Sequence, residues 1–275
     1  IKNIENAPYF NDKNDKVLGL NPDYYDWNFK NEYIDKISNI KAICLGTTSY
    51  SWVDIDYCKN KNIPVTNVPK YSTEAVSEYA LFMMLSLARK LPLQIKNGFK
   101  LEYDKSMLMT NIENKTVGII GLGAIGSNIA RLCTNLGMKV IYWSKTSRNE
   151  NYKNVSLEEL FNESDFIVPT FLVNDDTKRI ITDSLINRMK KSASIINILN
   201  EEILNSKLVI EKVKNNEIYG YAFEDNKANI NDYVGNILVL PAYAWYTKEA
   251  LDNLQQIWVD SIISACNNNI INQVN

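Results

Sequence analysis

The sequence predicts an α/β chain built from two doubly wound units, each a parallel sheet with helices on both faces. Two observations carry this. Short apolar runs alternate with helix-like periodic stretches along most of the chain, the pattern of parallel strands joined through helices. The segment KTVGIIGLGAIGSNIARLCTNLGMKVIYWS, from Lys115 to Ser144, reads as strand, glycine-rich turn, helix and second strand. A length of 275 residues, with 45% hydrophobic and 23% charged residues, accommodates two ordinary globular domains.

The elements follow in order. Residues 1–15 are polar and irregular. Lys16–Leu20 is a short strand candidate, and Lys41–Gly46 (KAICLG) and Asn62–Val68 (NIPVTNV) read as two more. Ser72 and Thr73 precede Glu74 and an apolar-periodic stretch to Leu91, a helix of roughly five turns that Pro92 helps to stop. Its apolar residues surround much of the axis, so it is expected to be buried, with a place between domains as one option. Thr116–Ile120 is a strand, Ala124–Leu136 a helix with Gly137 at its C-terminal cap, and Lys139–Trp143 a strand. SLEELFNES and SLINRMKK read as helical, as does the stretch from Asn205 to Asn215. DFIVPT, SASIINIL, IYGYAF and ILVLP read as strands. A final amphipathic helix runs from Tyr246 to Ala265. Residues 1–92 therefore form one unit, to which the last helix, within 246–275, returns, and residues 93–245 form the second.

Composition excludes several functions. A net charge of −2 gives no basic field for nucleic acid or anionic lipid. The longest apolar-rich stretch, Ala80–Ala88, is far short of the roughly 18–20 residues that span a bilayer. The opening IKNIENAPYF has neither signal-peptide nor transit-peptide pattern. Cys44, Cys58, Cys133 and Cys266 are scattered without a CxxC pair, which points to reduced thiols and a cytoplasmic location. The chain has 0 histidines, so any mechanism that needs one is excluded, and no metal site is expected.

Gly121, Gly123 and Gly126 match G-x-G-x-x-G between a strand and a helix. The first glycine permits the tight turn, the second lets a pyrophosphate approach the backbone, and the third lets helix and strand pack closely. Ala124 and Ile125 open the helix, whose free amides and partial positive charge favour phosphate. A tight turn in a nucleotide-free sheet is the competing reading. At the end of the second strand an acidic residue would bind the ribose hydroxyls of NAD. Here Ser144, 18 residues after Gly126, is followed by Lys145, Thr146, Ser147 and Arg148. Neutral hydroxyls beside two cations suit a 2′-phosphate, so NADP(H) is favoured over NAD(H), with a solvated basic loop as the alternative.

Four segments in sequence order resemble the D-isomer-specific 2-hydroxyacid dehydrogenases: VTNVPKYSTEAVSEYALFMMLSLARKLP (Val65–Pro92), NKTVGIIGLGAIGSNIARLCTNLGMKV, SLINRMKKSASIINI and PAYAWYTKEAL. The resemblance covers nearly all of the chain. It implies a discontinuous substrate domain (1–92 with 246–275), a Rossmann-type dinucleotide domain (93–245), a cofactor cleft between them and a homodimer. It also implies that the backbone of Thr48 and Ser49 meets a substrate carboxylate, and that a further strand and helix precede Lys16–Leu20.

The departures bear on the chemistry. The resemblance places an arginine where IINILNEE has Asn200, a histidine where LPAYAW has Ala242, and a glutamate near Asn229. Reducing a 2-keto acid needs a proton for the forming alkoxide and positive charge beside it, contributions of about 10²–10⁴ in rate for the acid and similar for an oxyanion donor. Substitute candidates are Lys70 beside Tyr71, then Tyr79, Tyr243 and Tyr246, with Asn200 in the arginine's place. The competing reading of each, a packed aromatic or a solvated lysine, is favoured in a chain with 16 tyrosines. Glu201, Glu202, Glu224 and Asp225 are alternative acids, read in preference as solvated or helix-capping. Two functions follow: an oxidoreductase with an altered site acting on a small 2-hydroxy acid, 2-keto acid or related carbonyl, or a dinucleotide-binding pseudoenzyme serving as sensor or interaction protein.

Overall fold

The computed structural model describes residues 12–174, 176–199 and 203–275. The chain divides into two compact units, Ile1–Ser72 with Tyr246–Asn275, and Thr73–Trp245.

In the first unit, β1 (Lys16–Leu20), β2 (Ile40–Leu45) and β3 (Val65–Thr66) form a parallel sheet in the order β1-β2-β3, with Leu20 opposite Leu45 and Cys44 opposite Thr66. Helices α1 (Asn31–Lys36) and α2 (Ile55–Asn60) make the crossovers. Asp54 caps α2 by accepting the Tyr57 amide at 2.9 Å. One face of the sheet is buried with Phe29, Ile34, Trp52 and Cys58. The other carries the C-terminal helix, Lys248–Cys266, whose Trp258 Nε1 donates to the Cys44 carbonyl at 2.8 Å. That helix lies close because a side chain on Gly46 would meet the Trp258 ring at 3.2 Å. Only Val65 and Thr66 of the strand expected over Asn62–Val68 pair in the sheet, the rest belonging to the loops on either side.

The second unit starts with α3 (Thr73–Ala88) and α4 (Leu91–Lys96). The single helix expected to Leu91 is therefore two. Lys90 takes the left-handed conformation, φ +50°, and Pro92 sits in the first turn of α4, where its missing amide hydrogen is no loss. There follow β4 (Thr116–Ile120), α5 (Ala124–Asn135), β5 (Lys139–Trp143), β6 (Lys153–Asn154), α6 (Leu157–Glu163) and β7 (Phe166–Pro169). The unit ends with α7 (Asp183–Ile186), β8 (Ser194–Asn197), α8 (Ser206–Lys214), β9 (Gly220–Glu224) and β10 (Ile237–Leu240). The parallel sheet runs β10-β9-β8-β7-β4-β5-β6. The chain steps outward from β4 to β6 and then returns to β7 beside β4, so the direction of winding reverses between β4 and β7. This is the strand order of a Rossmann-type sheet, with the ligand crevice expected at that reversal, outside the carboxyl ends of the strands.

Side chains alternate between two cores. Val117, Ile119 and Phe166 pack with Met83, Met84 and Leu87 of α3 and Ile129 and Cys133 of α5. Ile120, Ile167 and Ile195 pack on the opposite face with Leu160 and Phe161 of α6, Leu185 of α7 and Val209 of α8. Because α3 packs on α5 and on β8, β9 and β10, it groups with the second unit. The division falls after Ser72, not after Pro92 as the sequence suggested.

Candidate functional site

The glycine turn is shaped by what surrounds each glycine. Gly121 has φ +98°, and a side chain there would meet the Phe171 backbone at 2.9 Å. A Cβ on Gly126 would run into the Gly121 carbonyl and into Thr170 Oγ1, whose hydroxyl donates to that same carbonyl. Gly123 differs. Its φ of −77° suits any residue, and a Cβ there meets nothing within 4 Å. The fold does not demand glycine at this position, and the open space beside it is what a pyrophosphate needs. Gly123 is also the N-cap of α5 and contributes no capping side chain, so the amides of Ala124 and Ile125 meet that space uncapped. These residues fit a dinucleotide.

The loop after β5 holds the next three expected residues. Ser144 is buried and its Oγ accepts the Ser147 amide at 3.1 Å, so its hydroxyl shapes the turn. Arg148 Nη1 donates to the carbonyls of Ser144 and Ser147, both at 2.9 Å. Lys145 Nζ lies 3.3 Å from Asp176 Oδ2. Asp176 was not singled out in the sequence, because it stands 31 residues along the chain, in the loop after β7.

A third group lies at the carboxyl ends of β9 and β10. Glu224 is half-buried, and its Oε1 accepts the Ala244 amide at 3.1 Å. Burial pushes its carboxyl above the ordinary range, with the Ala244 amide opposing. This corrects the reading of Glu224 as a solvated or capping acid. Asp225 is a turn residue whose Oδ1 accepts the Lys227 amide at 2.7 Å. Asn226 Oδ1 accepts the Ala242 amide at 2.9 Å. Tyr79 donates to the Pro241 carbonyl at 3.1 Å, and burial together with the Glu224 charge pushes its phenol up to about 12. That direction opposes a role as proton donor, which needs a lowered pKa. Asn229 is spent on a capping box, its Oδ1 accepting the Asn231 amide and its own amide donating to Asp232, each at 2.9 Å. Tyr243 is exposed. Asn200, Glu201 and Glu202 lie outside the described residues.

In the first unit, Thr48 and Ser49 follow β2 and are exposed. The Thr48 hydroxyl donates to the Val68 carbonyl at 2.5 Å, and Asn67 Nδ2 donates to the Thr48 carbonyl at 2.7 Å, tying the loops after β2 and β3 together. The amides of Thr48 and Ser49 donate to no acceptor among the described residues. Lys70, two residues past Val68, is exposed with φ +58°, an unusual conformation for a residue with a side chain. Burial raises the phenol of its neighbour Tyr71, which again opposes a lowered pKa. Tyr246 begins the second segment of this unit.

A doubly wound sheet with an open glycine cradle at its winding reversal defines a dinucleotide-binding protein. Residues 81–229 match the family profile of the D-isomer specific 2-hydroxyacid dehydrogenase, NAD binding domain. A Staphylococcus saprophyticus protein assigned to the 2-hydroxyacid dehydrogenases is 31% identical over 251 residues, 86% of this chain and 79% of that protein. A Staphylococcus aureus protein with the same assignment is 30% identical over 86% of this chain and 80% of its own. Among solved structures, an acyclic imino acid reductase in complex with NADPH and D-Arg superposes with a TM-score of 0.80 at 28% identity, covering 94% of this chain and 84% of that one. A D-lactate dehydrogenase with NAD+ from Lactobacillus jensenii gives 0.75 at 25% identity, covering 89% and 79%. The chain belongs to the D-isomer-specific 2-hydroxyacid dehydrogenase family, and it is an NAD-binding oxidoreductase of that type using a nicotinamide dinucleotide. No helix of the described residues is long and apolar enough to cross a membrane.

Proposed function

We propose that the chain is a nicotinamide-dinucleotide-dependent reductase with an altered active site. Its substrate would be a small 2-oxo acid, the 2-hydroxy acid derived from it, or a related compound, an imino acid among them. The observation that carries this is Gly123, a glycine the fold does not require, beside space that a phosphate group can enter. The bound cofactor supplies hydride. The chain's part is to hold the phosphates on the amides of Ala124 and Ile125 and the adenosine ribose near Ser144, Lys145 and Arg148. The amides of Thr48 and Ser49 suit a substrate carboxylate, since they lack acceptors among the described residues. The substitute polar groups of the altered centre are Lys70, Tyr243 and Asn200. The acyclic imino acid reductase solved with NADPH supports a C=N compound among the candidates.

Lys145 and Arg148 favour NADP(H) over NAD(H), and the pairing of Lys145 with Asp176 weakens that preference without reversing it. A homodimer is part of the proposal, supported by the apolar side chains of Phe99, Leu101, Tyr103 and Leu108, all largely exposed on the segment after α4. The free, buried thiols of Cys44, Cys58 and Cys133 suit a reducing compartment, the cytoplasm. The second reading is a pseudoenzyme. It draws on Ala242, at the position where the family resemblance places a histidine, in a chain with 0 histidines. Oxidation of NADPH followed at 340 nm with a panel of 2-oxo acids, with and without ammonium, decides between them. Turnover with any member supports the reductase. Tight cofactor binding with no turnover across the panel supports the pseudoenzyme.

A further inference from the structure

We infer that the second unit carries an anion site on the edge of its sheet away from the glycine turn, and that its ligand is an organic polyphosphate, an apolar or aromatic body bearing two or more phosphate groups. A cavity of about 1000 Å³ lies there. Its lining comes from the residues that lead into β8, β9 and β10, from α4, from the segment 102–107 and from the end of α8. The strands run parallel, so this is their amino edge, opposite the carboxyl edge at which the glycine turn sits. The cavity is therefore separate from the dinucleotide crevice.

Charge marks the site. Lys90, Lys96, Lys105, Lys191 and Lys214 line it against a single acid among the described residues, Glu102, which leaves a net +4 in a chain whose net charge is −2. The neighbouring Lys190 and Lys212 find carboxylates, Asp165 at 3.5 Å and Glu217 at 2.9 Å. The five that line the cavity make no ion pair among the described residues. Two of them are half-buried. Lys90 Nζ donates to the Ser106 carbonyl and stands 5.1 Å from the centroid of the Tyr219 ring. Lys96 Nζ donates to the carbonyls of Tyr233 and Gly235 at 2.9 and 3.2 Å. Carbonyls and a ring orient an ammonium group without neutralising it, and removal from water pushes both lysines below their ordinary value. A desolvated cation is costly until an anion joins it. Stapling of α4 to its neighbours would explain these carbonyl contacts. It does not explain the exposed Lys105, Lys191 and Lys214, whose like charges repel across the same space.

The lining also selects the ligand. No arginine lies among the described lining residues, so the planar fork that grips a single carboxylate is missing, and ammonium groups suit the concentrated charge of phosphates. Leu93, Met107, Val213 and Val234 add an apolar surface. The volume lies at the top of the range for small-molecule sites, so an inorganic ion alone would leave most of it empty.

The test titrates the NADPH-saturated protein calorimetrically with ATP, geranyl diphosphate, tripolyphosphate and citrate, the NADPH keeping nucleotides out of the dinucleotide crevice. The same series is run on the double variant Lys105→Glu/Lys214→Glu, which reverses charge at two exposed positions, and on Lys90→Met. Thermal melts and tryptophan quenching by NADPH are the controls. The inference expects ATP or geranyl diphosphate to bind once per chain, the two arms telling a nucleotide from a lipid-like diphosphate, and tripolyphosphate and citrate to bind at least tenfold more weakly. The double variant should lose at least tenfold in that affinity with melting and NADPH quenching unchanged, and Lys90→Met should lose affinity in the same direction. The inference is overturned if neither organic phosphate binds, if tripolyphosphate binds as tightly as they do, or if the double variant binds as the parent does. Binding of ATP that disappears as NADPH is raised would place it in the dinucleotide crevice and overturn the inference as well. The outcome is independent of the reductase reading, because the charge reversal locates the site.

Discussion

Lys145 Nζ lies 3.3 Å from Asp176 Oδ2, so the loop after β5 is joined by a carboxylate from the loop after β7. Both side chains are well exposed, and such pairs contribute about 0–1 kcal/mol to stability. Their effect should fall on the cofactor instead. Removing the Asp176 charge would leave Lys145 unopposed in the loop that the proposal places at the ribose. Asp176→Asn is expected to tighten NADPH binding several-fold with little change for NADH, and Lys145→Ala to weaken NADPH by ~3–10-fold, the scale of one charge-assisted contact. Paired titrations with both dinucleotides check this. Equal shifts for NADH and NADPH would show that the loop does not read the 2′-phosphate.

The glycine turn separates folding from binding. Gly123→Ala has open space and an ordinary φ. It should melt within a degree or two of the parent yet lose at least tenfold in dinucleotide affinity, because the methyl group enters the phosphate space. Gly126→Ala strikes the Gly121 carbonyl and Thr170. It should lose about 1–3 kcal/mol of stability, as overpacking does, and binding with it. Thermal melts run beside titrations distinguish the two.

Much of this architecture is legible in the sequence, and the reasons are local. The β4–α5–β5 unit announces itself through its apolar run, its glycines and the Gly137 cap, which has φ +77°. The break between α3 and α4 was hidden because the apolar period continues past Lys90, and Pro92 serves equally as a stop or as a first-turn residue. The short α1 and α2 have too few turns to show a period. At the site, Asp176 and Thr170 act across the sheet from distant positions, which no local pattern reveals. Glu224 carried one readable signal, an acid closing the buried strand GYAFE, but its burial depends on the chain folding back through Ala244.

Glu224 also gives a pH signature. Its folded pKa is raised above the ordinary value of 4.5. A carboxyl shifted in that direction contributes stability that is fully present below the unfolded pKa and lost as pH rises through the folded one. Glu224→Gln has no such loss. Its melting temperature relative to the parent should therefore climb as pH rises through and above the ordinary carboxyl value of 4.5, as read by scanning fluorimetry across buffers. A flat difference would mean that Glu224 is as well solvated in the fold as in the unfolded chain.

Thr48 joins two loops of the first unit through its hydroxyl and the Val68 carbonyl. Thr48→Val removes that hydrogen bond at near-constant shape and should reduce stability by about 1 kcal/mol. If the loop presents its amides to a carboxylate, KM should rise while cofactor affinity stays unchanged. Unchanged KM would place the carboxylate elsewhere.

The most direct test of the central claim is titration of the protein with NADPH and NADH while following tryptophan emission, since Trp143 closes β5 next to the loop proposed to hold the ribose. The account predicts saturable quenching at micromolar concentration, with NADPH preferred and the response weakened at least tenfold in Gly123→Ala. Absence of quenching by both dinucleotides, with calorimetry likewise silent, would contradict it.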